Sequence, residues 1–148
     1  MNLSSIIEEY IHELLIDNNY VEVKRNDLAN HFSCVPSQIN YVISTRFIPE
    51  LGFYVESKRG GGGYIKISKV ELDDEDYITH IIGKMGDKLS QNVASIYLNN
   101  LLLYNVLDEK TVRLINIAIS DKSLESVNKL DRDKVRADIF KCLIINLI

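Results

Sequence analysis

The chain has 148 residues, with 17 Lys plus Arg against 21 Asp plus Glu and 46% apolar residues. That composition excludes a disordered polymer and allows one or two packed domains. Two cores of about 70 residues each would be marginal without a shared interface, which points to oligomerisation. Cys34 and Cys142 stand far apart with no CxxC spacing, against a disulfide scaffold, a zinc finger or an iron–sulfur site and in keeping with a reducing cytoplasm. The first residues lack the basic start and apolar run of a signal peptide. No window approaches the roughly 18 apolar residues of a membrane span, so a cytoplasmic protein without a membrane partner is expected.

Charge is spread unevenly. Between Asn18 and Val70 stand seven basic residues (Lys24, Arg25, Arg46, Lys58, Arg59, Lys66, Lys69) and four acidic ones (Glu22, Asp27, Glu50, Glu56), a net charge of +3. From Glu71 onward ten basic face thirteen acidic residues, net −3. Fields of opposite sign suggest separate tasks, and the expected division is residues 1–72 and 73–148.

Ser5-Ile6-Ile7-Glu8 has the spacing of a capping box and predicts a helix start. Ile6, Ile7, Tyr10, Ile11, Leu14 and Leu15 recur on one side of that helix, leaving Glu8, Glu9, His12 and Glu13 on the other. Tyr20 to Val23 is a short alternating piece, after which Asn26 or Asp27 can cap a second helix ending near Phe32. Pro36 suits the first position of a third helix, reaching about Arg46, because its missing amide hydrogen would have no partner there. On it Ile39, Val42 and Ile43 form a buried stripe, Ser37, Tyr41, Ser44 and Thr45 face away, and Gln38 and Asn40 flank them. A short helix, a tight turn and a helix with a polar outer face make a helix-turn-helix, whose second helix reads the major groove.

Phe53 to Lys58 and Tyr64 to Lys69 are rich in aromatic and β-branched residues and are separated by Arg59 and four glycines, Gly60 to Gly63. They read as a β-hairpin, the wing of a winged helix-turn-helix. Five acids among Glu71 to Asp76 suit the positive end of a helix. Helical pattern then continues over Tyr77–Leu89, Ser90–Val106, Glu109–Ile119 and Asp131–Ile148. In the last ten residues only Lys141 and Asn146 are polar. A helix apolar all round needs cover on several sides, so this half reads as a four-helix dimerisation domain. The fold class is mainly α with a β-hairpin wing.

The glycines do not form a phosphate loop, since no Lys-Ser or Lys-Thr follows and the next segment is a strand rather than a helix. His12, His31 and His80 lack metal-ligand spacing, and no nucleophilic triad or carboxylate pair can be assembled. No enzyme activity, cofactor or metal is expected. Tyr41 reads as core filler or as a DNA contact, and Lys24 and Arg25 as phosphate contacts or as residues flanking the second helix. Two other classes stay open: a protein-interaction adaptor built on a winged scaffold, and a repressor with an effector pocket in its helical half.

The residues from Lys24-Arg25 to Ile67 closely resemble the CtsR family, repressors of class III heat-shock genes in low-GC Gram-positive bacteria. The likeness is carried by Cys34-Val35-Pro36-Ser37-Gln38-Ile39-Asn40-Tyr41-Val42-Ile43, by Thr45-Arg46-Phe47 and Gly52, and by Val55-Glu56-Ser57-Lys58-Arg59-Gly60-Gly61-Gly62-Gly63-Tyr64-Ile65. It implies a dimeric repressor of Clp protease and chaperone genes that binds a tandem heptanucleotide operator and releases it on heating. It also implies a recognition helix over Ser37 to Thr45, a basic wing at Lys58 and Arg59, and a heat-sensing tip at Gly60 to Gly63. A protein arginine kinase that modifies Arg59 and a Clp ATPase are the implied protein partners.

Chemistry agrees with that assignment. Gln38 and Asn40 carry amides that match adenine, Ser37, Ser44 and Thr45 suit phosphate or bases, and Arg46 suits phosphate or guanine. Arg59 beside side-chain-free glycines suits a narrow minor groove. Ordering four glycines costs about 2–4 kcal/mol beyond alanine. Warming by ~10 K changes that entropic cost by only about 3%, so heat release calls for cooperative local melting of the wing.

Overall fold

The computed structural model describes residues 2–59 and 63–147; the expectations placed on Gly60, Gly61 and Gly62 lie outside them. The chain divides into two compact units, Met1–Glu71 and Leu72–Ile148.

In the first unit, helix α1 spans Leu3–Ile16. It starts two residues before the expected capping box, because the Asn2 side chain accepts from the Ser5 amide at 2.9 Å and already serves as the N-cap. Glu8 is thereby released from capping. It lies buried with His12, at 3% and 2% exposure, which corrects the expectation that both face solvent. Ile7, Ile11 and Leu15 pack inward as the periodicity predicts, whereas Ile6 is 41% exposed.

Strand β1 (Tyr20–Val23) leads into α2 (Arg25–His31). That helix opens at Arg25 with Lys24 at its N-cap and no side-chain cap, so neither Asn26 nor Asp27 takes the capping position. Asp27 instead sits in the first turn, where the helix dipole favours a carboxylate. The turn passes through Ser33 at φ +53°, and the Cys34 amide donates to the Ala29 carbonyl at 2.9 Å. Helix α3 (Pro36–Arg46) begins on its proline and buries Ile39, Val42 and Ile43. A 3₁₀ turn at Pro49–Leu51 ends on Gly52 at φ +86°, a left-handed conformation that admits glycine without strain.

Strands β2 (Phe53–Lys58) and β3 (Tyr64–Lys69) form the expected hairpin. The sheet is antiparallel in the order β1-β3-β2, so the alternating Tyr20–Val23 piece is its third strand, with Tyr20 opposite Ser68 and Val23 opposite Ile65. Successive side chains alternate between faces. Phe53, Ile65, Ile67 and Val23 therefore point inward and are buried, as are Ile39, Val42, Phe47 and Leu51, with the Phe53 ring edge-on to Phe47.

The second unit has four helices among its described residues: α4 (Asp74–Met85), α5 (Gln91–Leu103), α6 (Glu109–Ala118) and α7 (Arg132–Asn146). Three carry side-chain caps: Asp73 accepts from the Asp76 amide at 2.8 Å, Ser90 from Val93 at 3.2 Å and Asp108 from Thr111 at 2.7 Å. The α7 guanidinium of Arg136 is fully buried. It donates to the Ile119 carbonyl at 2.7 Å, the Leu89 carbonyl at 3.0 Å and Asp133 Oδ1 at 2.7 Å, and it pairs with Asp121. Asn100 Nδ2 donates to the Tyr77 hydroxyl, and burial pushes the Tyr77 phenol far above its ordinary pKa. On α7, Ala137, Phe140 and Ile144 are buried while Ile145, and Leu147 just past the helix end, remain 56% and 47% exposed. No described helix is long and apolar enough to cross a membrane.

Candidate nucleic-acid interface

The Pro36 start and the inward Ile39–Val42–Ile43 stripe fix how α3 is turned. Ser37, Asn40, Tyr41 and Ser44 are consequently exposed on its outer face, Tyr41 to 50%. These four residues line a groove of about 600 Å³ with Arg25 from α2 and Val55 from β2. The tyrosine is a surface group, not core filler.

Arg25 joins the parts. Its Nε donates to Asn40 Oδ1, and its Nη2 donates to Ser57 Oγ at 3.1 Å. One guanidinium from the start of α2 thus touches the outer helix and the hairpin strand together. Ser57 escaped the sequence reading; the signal for it was hairpin alternation, which places Ser57 on the same strand face as Phe53 and Val55. A second concavity, lined by Lys24, Arg25, Asn26, Asp27, Gly63 and Tyr64, sets the end of the hairpin beside the start of α2.

Three sequence candidates take other positions. Gln38 Nε2 donates to Ser4 Oγ at 2.8 Å, tying α3 to α1. Arg46, with 17% of its side chain exposed, lies with Nε 3.7 Å from Glu8 Oε2, and Glu8 is also 3.8 Å from His12 Nε2. The His12 ring packs on Phe47 and Phe53, with centroids 4.8 and 5.7 Å apart. Thr45 Oγ1 donates back to the Tyr41 carbonyl at 2.6 Å, as Ser44 Oγ does at 3.2 Å. Their hydroxyl protons are used inside the helix, which leaves their oxygens as acceptors.

On the wing, Lys58 and Arg59 are exposed. Lys58 lies 3.4 Å from Glu56, an exposed pair of small energetic weight. Lys66 stands in register between Glu22 and Glu56 and over the Tyr20 ring at 4.4 Å, so its charge is offset on the outer sheet face. Burial lowers the Lys69 ammonium pKa, against the opposing pull of Glu71. Exposed positive charge therefore concentrates at Lys24, Lys58 and Arg59. Among the described residues, no group of His, Cys, Asp and Glu is arranged to hold a metal ion.

Comparison with known proteins agrees with this geometry along the whole chain. Residues 2–71 match the family described as the CtsR N-terminal HTH domain, and residues 73–145 match the CtsR C-terminal dimerization domain. The transcriptional regulator CtsR of Staphylococcus saprophyticus is 44% identical over 146 residues, covering 97% of this chain and 95% of that protein. Its counterpart in Staphylococcus aureus is 43% identical over the same span. A crystal structure of CtsR in complex with a 26-bp DNA duplex superposes with a TM-score of 0.81 at 39% identity, covering 99% of this chain and 98% of that one. Family matches over residues 2–71 and 73–145, with relatives 43–44% identical over nearly the full chain, show that this chain belongs to the CtsR family of transcriptional regulators.

Proposed function

We propose that the protein is a homodimeric, DNA-binding transcriptional repressor. In this reading the winged unit (1–72) reads DNA and the helical unit (73–148) dimerises. Helix α3 enters the major groove, with Ser37, Asn40, Tyr41 and Ser44 toward bases and phosphates and Thr45 buttressing the helix backbone. Lys24, Lys58 and Arg59 meet phosphates, and Arg59 leads the glycine-tipped wing toward the minor groove. Gln38 and Arg46 hold α3 on α1. The observation that carries the reading is the exposed polar face of α3 joined through Arg25 to a strand ending in two exposed cations. A 39% identical chain solved on a DNA duplex supports it.

The finer reading follows the family: a tandem heptanucleotide operator before Clp protease and chaperone genes, in the cytoplasm, with release on heating. Arginine phosphorylation would replace the positive charge of Arg59 by a net negative one where DNA phosphates come closest, turning attraction into repulsion. A protein arginine kinase and a Clp ATPase are the partners this reading requires.

Fluorescence anisotropy on operator and scrambled duplexes, at several salt concentrations and two temperatures, tests the core of it. Neutralising about six phosphates gives a log–log salt slope near −5, and specific binding should vanish on warming. Equal weak binding to both duplexes at every salt would remove DNA reading and leave a docking scaffold.

A further inference from the structure

The contact between Arg25 and Asn40 decides which atoms Asn40 can offer to DNA. An arginine Nε carries a hydrogen and no lone pair, so it can only donate. The Asn40 atom facing it is therefore the amide oxygen. A free asparagine amide can turn over and present either its oxygen or its nitrogen to a base. Here turning over would set N–H against N–H and leave the guanidinium without its acceptor, which the second bond, to Ser57 Oγ at 3.1 Å, helps to forbid. Arg25 is the first residue of α2 and Ser57 belongs to β2, so two elements outside the recognition helix hold the lock.

We infer that Arg25 is a positioning residue for base specificity: it holds the Asn40 amide nitrogen outward, so that position 40 reads as a hydrogen-bond donor. Its natural partners are the acceptors of the major groove, purine N7, guanine O6 and thymine O4, while a cytosine amino group is rejected. The inference rests on the reading of α3 as the DNA helix.

The test compares the full-length protein with Asn40→Ala, Arg25→Gln, Arg25→Lys and the Asn40→Ala/Arg25→Gln double variant on operators substituted at one base pair at a time. Asn40→Ala identifies the base pair that residue 40 reads, where the wild type should discriminate by about tenfold. Both Arg25 variants should lose most of that preference and keep the preferences at every other position. The double variant should discriminate no less than Asn40→Ala alone, and Arg25→Lys should keep the wild-type salt slope. Preference at that pair surviving in both Arg25 variants would overturn the inference, as would a failure of Asn40→Ala to alter any single position. A uniform loss on all duplexes with the salt slope reduced by about one would instead mark a phosphate contact and overturn it too. Wild-type protein that does not tell operator from scrambled DNA would sink the DNA reading itself, a result separable from the other three.

Discussion

The two units use polar side chains in opposite places. In the winged unit the outward face of α3 is a set of hydrogen-bonding groups, Ser37, Asn40, Tyr41 and Ser44, and the largely buried cluster of Glu8, His12 and Arg46 lies beneath it. In the helical unit the strongest polar hub, Arg136, is at the centre, while Leu114, Ile117 and Ile145 stand outside, each more than half exposed. A surface of donors and acceptors suits a hydrated, charged polymer, whereas exposed aliphatic side chains suit another protein surface. Neither arrangement follows from average composition; each follows from which stripe of a helix the core consumes.

The sharpest way to break that contrast is at its hubs. Arg136→Ala removes bonds to two backbone carbonyls and two carboxylates and should cost about 3 kcal/mol, read as a lowered urea midpoint of the helical unit. Arg136→Met, which restores volume but none of the hydrogen bonds, should cost less; an equal loss would show that hydrogen bonding, not packing, sets the effect. Arg46→Ala leaves the buried Glu8 without its cation and should cost about 2 kcal/mol. Its DNA salt slope should stay at the wild-type value, because the side chain supports α3 instead of meeting phosphate, and a slope reduced by about one would reverse that assignment. Ser90→Ala deletes the α5 cap and should cost about 1 kcal/mol by thermal or chemical denaturation.

The smallest effect concerns acid. Hydrogen bonds from the Thr111 side chain and backbone hold the Asp108 carboxyl below its ordinary 3.8. A carboxylate depressed in the folded state adds stability above the unfolded pKa and loses it as pH falls through the folded one. Asp108→Asn keeps a capping oxygen without titrating, so it should flatten the fall in urea midpoint between about pH 5 and pH 2. An unchanged slope would mean that the α6 cap does not contribute to acid sensitivity.

Much of the fold was legible because local signals agreed with tertiary demand. Pro36 opened α3, the Ile39–Val42–Ile43 spacing named its buried side, and the two β-rich runs paired as read. The misses share a physical cause: periodicity reports polarity but not partners. Glu8 and His12 looked solvated by type, yet Arg46 and two aromatic rings from elsewhere in the chain make their burial possible. The Ser5-x-x-Glu8 spacing matches a capping box, but Asn2 is the cap and Ser5 lies inside the helix. Arg136 gave no sign of burial, since its partners lie 3, 15, 17 and 47 residues away. At the interface the residue types were readable, but the bridge from Arg25 to Asn40 and Ser57 joins positions 15 and 32 apart, a relation only folding creates.

Gly63 stands at φ +72°, and a Cβ added there would lie 3.3 Å from the Lys58 carbonyl oxygen. Its backbone angle strains most side chains and its neighbour leaves a Cβ little room, two separate causes that favour glycine. The preference is set by stereochemistry within the hairpin and needs no contact with DNA. Even a descendant with no DNA to read would keep it, with asparagine the least costly departure, for as long as it kept the hairpin.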